Sequence, residues 1–368
     1  MKKINIFKST VQFILVAAVI ATFTRCEDST KLQALVVADS EEVGVGIGTI
    51  LENSGLFSAK VSSNNPSNFK KYDVVVVDVA KGDWNDEAKA AFAEYVKNGG
   101  ASVLVGASAV AFGDWVEMTE IAGTPAGAGL VKSSDAYEYS VRNLKNDHPI
   151  TAGLQANWMH STDYLSFNTA MITGQTEVIA TAWADTLHGG DGAHLPVMAT
   201  INYGKGRVFH TTLGINASAA DLTPLQCVGF ITILQRGAEW AATGVVSQAA
   251  PIDFPNAVST HEWPDYKPLT VDQVLEKTAT YEVGKSTKYL EDFTMMIRNS
   301  DGTAESYGMY EDKILAYLNS PASAESKKYM CRELSWMGSE KSLPELEKLV
   351  DDPELGEAAK YALARLKP

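Results

Sequence analysis

The order of elements along the chain predicts an α/β protein, a doubly wound and mostly parallel sheet followed by an all-α region. Three observations lead there. Continuous apolar runs at residues 32–38 (LQALVVA), 73–79 (DVVVVDV) and 101–105 (ASVLV) read as strands buried on both faces. Amphipathic segments at 42–56 and 85–97 separate them, giving the βαβ alternation of a parallel sheet covered by helices. Beyond residue 268 the strand signal stops and helical periodicity takes over.

The first helix places Val43, Ile47, Ile50 and Leu51 on one face and closes at Gly55. The second does the same with Ala88, Phe92 and Val96, closed by Gly99 and Gly100. The strand at 101–105 runs into Gly106-Ala107-Ser108. A loop of small residues fills 123–129, and 131–141 reads as an edge strand. Residues 147–151 (DHPIT) form a turn, 177–181 a strand, and 185–194 a glycine-rich, acidic loop. Two further β-runs, 196–203 and 207–213, form a hairpin around Gly204-Lys205-Gly206, where glycine supplies the positive φ that a tight turn needs. A helix over 222–242 closes the domain, with Leu225, Val228, Ile231, Leu234 and Trp240 at helical spacing.

Pro251, Pro255, Pro264 and Pro268 mark a linker. Helices are then expected at 271–277, 287–296, 310–318, 323–337, 342–350 and 355–366. The division that follows is a leader at 1–26, an α/β domain at 31–246, a proline-rich linker at 247–269 and a helical domain at 270–368.

The leader has Lys2, Lys3 and Lys8 before an apolar run at 13–23, too short for a stable span, and then Cys26 followed by Glu27 and Asp28. This pattern resembles a lipoprotein export signal with lipidation at Cys26, although Phe23-Thr24-Arg25 departs from the small residues usual there. The expected location is the periplasm or cell surface. Without residues 1–25 the chain holds 27 Lys and Arg against 45 Asp and Glu, a net charge of −18. Such a balance excludes nucleic acid as a partner, and leaves a lipid anchor as the only expected membrane contact. Cys227 and Cys331 make no disulfide framework.

Several segments together resemble the ThuA-like (trehalose utilisation) family: 98–115 (NGGASVLVGASAVAFGDW), 146–154 (NDHPITAGL), Asp163-Tyr164, the GKGRV hairpin and 236–244 (RGAEWAATG). The resemblance covers roughly residues 31–245. It implies a flavodoxin-like sheet of the class I glutamine amidotransferase type and a role with disaccharides or keto-sugars. Residues 310–368 similarly resemble HEAT-like repeats of the phycobilisome-lyase type, helix pairs that bury a face only against a neighbour. Such repeats suggest a protein partner for the C-terminal helices.

The chain departs from the ThuA-like pattern where relatives carry histidines. Gly106 stands at the end of the third apolar strand, Ile215 follows Leu213-Gly214, and Asp39-Ser40-Glu41-Glu42 follows the first strand. Imidazole is hard to replace in proton transfer at neutral pH. The resemblance therefore supports the fold and leaves catalysis open.

In an open parallel sheet, ligands sit beyond the carboxyl ends of the strands. That rule nominates Asp39, Glu41, Lys81, Asp83, Trp84, Ser108, Asp114, Trp115 and Asn216, and the family motif adds Asp163. Indole faces with acid and amide edges suit a sugar. Ser108 lacks the second glycine of a nucleophile elbow, and a helix cap is its ordinary role. A serine there, not a cysteine, excludes a glutamine amidotransferase. His160, His188, His194 and His210 match no compact metal motif, so no cofactor is expected; only the loop His188–His194 offers a pair of ligands for a divalent ion. Cys227 and Cys331 read as small core side chains. The alternative to a sugar-handling protein is an anchored interaction module, with the helices recruiting a partner and the α/β domain as scaffold.

Overall fold

The computed structural model describes residues 31–62, 65–113, 115–124, 133–167, 171, 174, 176–300 and 302–366. The leader with Cys26, the candidate Asp114 and the start of the expected edge strand lie outside them. Among the described residues no helix is long and apolar enough to cross a membrane.

The strands β1 (Leu32–Ala38), β2 (Phe57–Ser62), β3 (Val74–Asp78), β4 (Ala101–Val105), β5 (Tyr137–Asn143), β6 (Asn157–Asp163), β7 (Thr176–Trp183), β8 (His194–Tyr203) and β9 (Gly206–Thr211) form one sheet. Its order is β2-β1-β3-β4-β9-β8-β7-β5-β6. From β2 to β9 all neighbours are parallel; from β9 to β6 all are antiparallel. The expected mostly parallel sheet is thus only half the answer. Parallel neighbours need a long crossover, and the chain supplies α1 (Glu41–Asn53), α2 (Asp86–Lys97) and α3 (Val116–Ala122) early on. Among the described residues no helix longer than one 3₁₀ turn separates the strands from β5 to β9, and they pair antiparallel. The strand expected at the edge, now β5, lies between β7 and β6, and β6 forms that edge.

Alternation along each buried strand builds two cores. Ala34, Val36, Val74, Val76, Val103 and Val105 face one side, where they meet Ile47 and Ile50 of α1 and Phe230, Ile233 and Leu234 of α5 (Val228–Thr243). Leu35, Val37, Val75, Val77 and Leu104 face the other, against Phe92 and Val96 of α2 and Ile121 of α3. The period of two thus gives a helix–sheet–helix sandwich.

The helix expected over 222–242 is broken. Cys227 takes an extended backbone, ending α4 (Thr223–Gln226) and starting α5, and it bridges to Glu262. Helix α5 lies hard on the sheet: a Cβ at Gly229 would come 2.2 Å from Trp158, and one at Gly237 would come 2.1 Å from Phe209.

Arg207, the arginine of the GKGRV run, caps this helix. Its Nε donates to Ala241 O at 2.9 Å and its Nη2 to Ala242 O at 3.0 Å. Arg236 ties the DHPIT turn to the segment after the helix, donating to Ile150 O, Ala152 O and Gln248 O. Two of the motifs that carried the family resemblance therefore do structural work.

The proline-rich segment is a docked strap. Phe254, Trp263 and Tyr266 are buried in the α1/α5 core. Backbone bonds from Val228 to His261 O, Trp263 to Gln226 O and Met159 to Asn256 O fix its path. In two of these bonds a strap carbonyl accepts, and in the third the strap amide of Trp263 donates.

Helices α6 (Val271–Thr278), α7 (Lys288–Arg298), α8 (Ala304–Leu318), α9 (Ala324–Met337), α10 (Leu343–Leu349) and α11 (Gly356–Leu366) build a third core around Phe293, Ile314, Met330, Leu334 and Leu346. Cys331 is buried there, and burial pushes its thiol up to about 11. Glu311 anchors the α9–α10 turn, accepting the Ser339 amide at 2.8 Å together with the hydroxyls of Ser339 and Ser342.

Candidate functional site at the strand ends

Strand β1 has β2 on one side and β3 on the other, so the chain reverses its direction of winding between β1 and β3. In such sheets the loops diverge at this point and leave a crevice. The C-terminal ends of β1, β3, β4 and β9 define the rim.

Asp39 closes β1. Its Oδ2 accepts the amides of Ala80 at 2.8 Å and Lys81 at 3.0 Å, fastening the loop after β3 to the end of β1. Asp78 ends β3. Its side chain is half-buried, and its carboxyl is pushed up to about 7, first by burial and then by the charges of Asp39 and Asp163. Gly106 follows β4 with φ of +61°, and a Cβ there would lie 3.2 Å from Ile215 Cα and 3.6 Å from Asp78 Oδ1. The backbone of the loop after β9 occupies the space beside it.

That loop is held from below. Asp163, at the end of β6, is fully buried. Its Oδ2 accepts Gly214 N at 2.7 Å and its Oδ1 accepts Asn216 N at 2.8 Å and Tyr164 N at 2.8 Å. His160 Nε2 lies 3.0 Å from Asp163 Oδ2. Burial pulls His160 down, but its bond to Asp163 and the neighbouring sulfur of Cys227 outweigh that and hold it up at about 9. It is therefore an imidazolium paired with the aspartate at neutral pH. Its Nδ1 has no partner at hydrogen-bond distance, and Cys227 Sγ donates weakly to Met159 O at 4.0 Å. Burial pushes the Cys227 thiol up and His160 more than compensates, leaving it below the usual thiol range. Cys227 is thus more than a small apolar filler.

The structure brings Asp39 and Asn216 to this rim and adds Asp78, whereas Asp163, expected to face a ligand, is fully buried beneath the rim and acts by holding the loop after β9. It separates others. Trp84 is only 6% exposed and belongs to an aromatic core, with Phe92 at 5.4 Å edge-on and Phe112 at 5.0 Å. It has no free face for a sugar. Trp115 packs on the same cluster, 6.4 Å from Trp84, but stays half-buried. Ser108 is buried, its Oγ 2.7 Å from Val105 O and 2.9 Å from Val77 O while accepting Val79 N at 2.9 Å. It ties β3 to β4 and has no open side for nucleophilic attack. Glu41 lies exposed in the first turn of α1, and Lys81 and Asp83 are exposed in the loop after β3.

The histidine loop is occupied locally. Asp185 and Asp191 accept the amides of Leu187 and Ala193, His188 stacks on Tyr137 at 3.9 Å, and His194 packs edge-on to Trp183 at 5.1 Å. Among the described residues no group of three or more His, Cys, Asp or Glu could hold a metal ion. His210 Nδ1 bonds Ala122 O at 3.2 Å in the core, and burial pulls it down to about 4 despite that bond.

A half-buried acid at the switch point of a doubly wound sheet defines an α/β protein with a strand-end site. The comparisons narrow this. The family model described as trehalose utilisation matches residues 33–241, and the chain belongs to this ThuA family. A solved structure described as ThuA-like, from Parabacteroides merdae, is 29% identical with a TM-score of 0.59, covering 65% of this chain and 100% of that one. Another described in the same way, from Bacteroides uniformis, is 18% identical with a TM-score of 0.44, covering 59% and 93%. No curated protein matches the chain.

Proposed function

We propose that this protein binds and processes a disaccharide or keto-sugar at the rim, with Asp78 exchanging the proton in the absence of an imidazole there. The observation that carries this reading is the carboxyl of Asp78, half-buried at the switch point and poised near 7. A group with that value donates and accepts protons equally well at neutral pH. Gly106 sets no side chain against the Asp78 carboxyl. Asp163 and His160 hold Asn216 at the edge, where its amide can meet sugar hydroxyls, and Trp115 offers the part of its indole that remains exposed. Family membership supports a role with carbohydrate.

Calorimetric titration with a panel of disaccharides and their 3-keto derivatives tests this at pH 6 and pH 8. A ligand from the panel should bind with a proton exchanged near pH 7. Asp78→Asn should remove that exchange and weaken binding or turnover by tenfold or more. Silence from the wild-type chain across the panel overturns the reading.

The same proposal includes export and lipidation at Cys26, supported by the pattern of residues 1–26 and testable by the mass of the mature N-terminus. It also includes HEAT-like stacking of the C-terminal helices, supported by the packing of α9 against both α8 and α11.

A further inference from the structure

The strap does not lie flat against the helical region. Between it and α7 opens a cleft of about 780 Å³, also reached by Glu138 of β5 and by Val274 of α6. A volume of this kind takes a ligand of disaccharide size, and junctions between structural units are common places for such sites. The cleft shares no residue with the strand-end rim.

Its walls are of two kinds. Trp263 and Phe254 of the strap and Met295 and Met296 of α7 supply apolar surface. Against them stand five carboxyl groups, Glu138, Asp253, Glu262, Glu291 and Asp292, and a single lysine, Lys288.

Two of the acids are locally tied. Asp253 Oδ2 accepts Trp263 Nε1 at 2.6 Å, and Glu291 Oε1 accepts Thr287 Oγ1 at 2.6 Å. Asp292 is half-buried and makes no ion pair or hydrogen bond with a described residue, although Lys288 lies one turn earlier on the same helix. Burial raises the Asp292 carboxyl to about 6; Lys288 opposes this, while Asp253 and Glu291, which line the same cleft, add to it. His261 contributes little positive charge, since burial and then Lys288 lower it against the pull of Asp253 and Glu291. Negative charge is thus gathered in a concave, partly apolar space, five carboxyl groups against the one lysine of its lining. An ammonium group is the complement of such a place, and the aromatic and thioether wall suits the carbon frame that bears it.

We propose that this cleft is a binding site for an organic amine of about disaccharide size, its ammonium held by Asp253, Glu291 and Asp292. The proposal stands independently of the sugar reading at the rim.

The test titrates the full chain at pH 7 with the glucosamine disaccharide and with spermidine. The N,N′-diacetylated form of the same disaccharide serves as the uncharged frame. Both amines should bind, the acetylated form at least tenfold more weakly than its parent, and binding should weaken as salt is raised. Glu291→Gln and Asp292→Asn should each cost severalfold and together at least tenfold, with no fall in melting temperature. Lys288→Gln should tighten amine binding severalfold, a gain that damage to the fold would not produce. Asp78→Asn should leave amine binding as it is, which separates failure here from failure at the rim. Equal binding of the acetylated frame, amine binding indifferent to the three cleft variants, or no binding of either amine at millimolar concentration overturns the proposal.

Discussion

Asp78 shows how a single residue carries function at a cost in stability. Its folded carboxyl titrates near 7, above its ordinary value of 3.8, so the folded state holds the proton more tightly than the unfolded one. Stability is then fullest below pH 3.8 and falls as pH rises toward 7, by about 2–4 kcal/mol after allowing for its partial exposure. Asp78→Asn removes this penalty. Its melting temperature should exceed that of the wild type by several degrees at pH 8 and match it at pH 3.5, measured by calorimetry. His210 runs the other way: it must stay neutral in the core, and its contribution is lost as pH falls from 6.5 toward 4. The site was half legible in the sequence. Asp39, Asp163 and Asn216 follow from the strand-end rule and the family motif. Asp78 was hidden because an acid at the end of DVVVVDV looks the same whether solvent or neighbouring carboxylates surround it. Trp84 misled for the converse reason: a tryptophan in an acidic loop resembles a sugar platform until Phe69, Phe92 and Phe112 close around it.

At the scale of elements, strong periodicity was legible and weak periodicity was not. The runs at 32–38 and 101–105 match their strands residue for residue, and the C-terminal helices lie close to where their spacing put them, except that α8 starts at Ala304 and not at 310. Strand β2 escaped because FSAKVS is a half-exposed edge with little apolar signal. Strand β6 escaped because NWMHSTD hides polar groups such as Ser161 and Asp163, whose partners Thr223 and Gly214 are distant in sequence. The break at Cys227 was invisible, since its cause is Glu262 on the strap. Helix α5 leaves a testable mark. Gly237→Ala forces a methyl into the Phe209 ring and should cost about 1–3 kcal/mol. Gly308→Ala on α8, where nothing lies within 4 Å, should gain up to about 1 kcal/mol from helix propensity alone. Paired denaturant melts of the two variants, opposite in sign, check the packing.

At the scale of the whole molecule, the strap decides what is covered. It crosses the end of α4 and buries the thiol of Cys227 beneath His261, Glu262 and Trp263. A chain ending after residue 269 should keep Cys227 unreactive, while one ending after residue 246 should label at least tenfold faster with a soluble thiol reagent, read by mass shift over time. The order of the strands has a separate consequence for assembly. β4 finds its second neighbour only in β9, with Ser102 opposite Val208, over a hundred residues downstream. Until that hairpin has been synthesised, the four N-terminal strands carry a bare hydrogen-bonding edge of continuous valine and leucine, the kind that recruits other chains. Nascent chains cut short before residue 194 are therefore the species most prone to clump, and a holdase would be needed earliest against that unfinished edge.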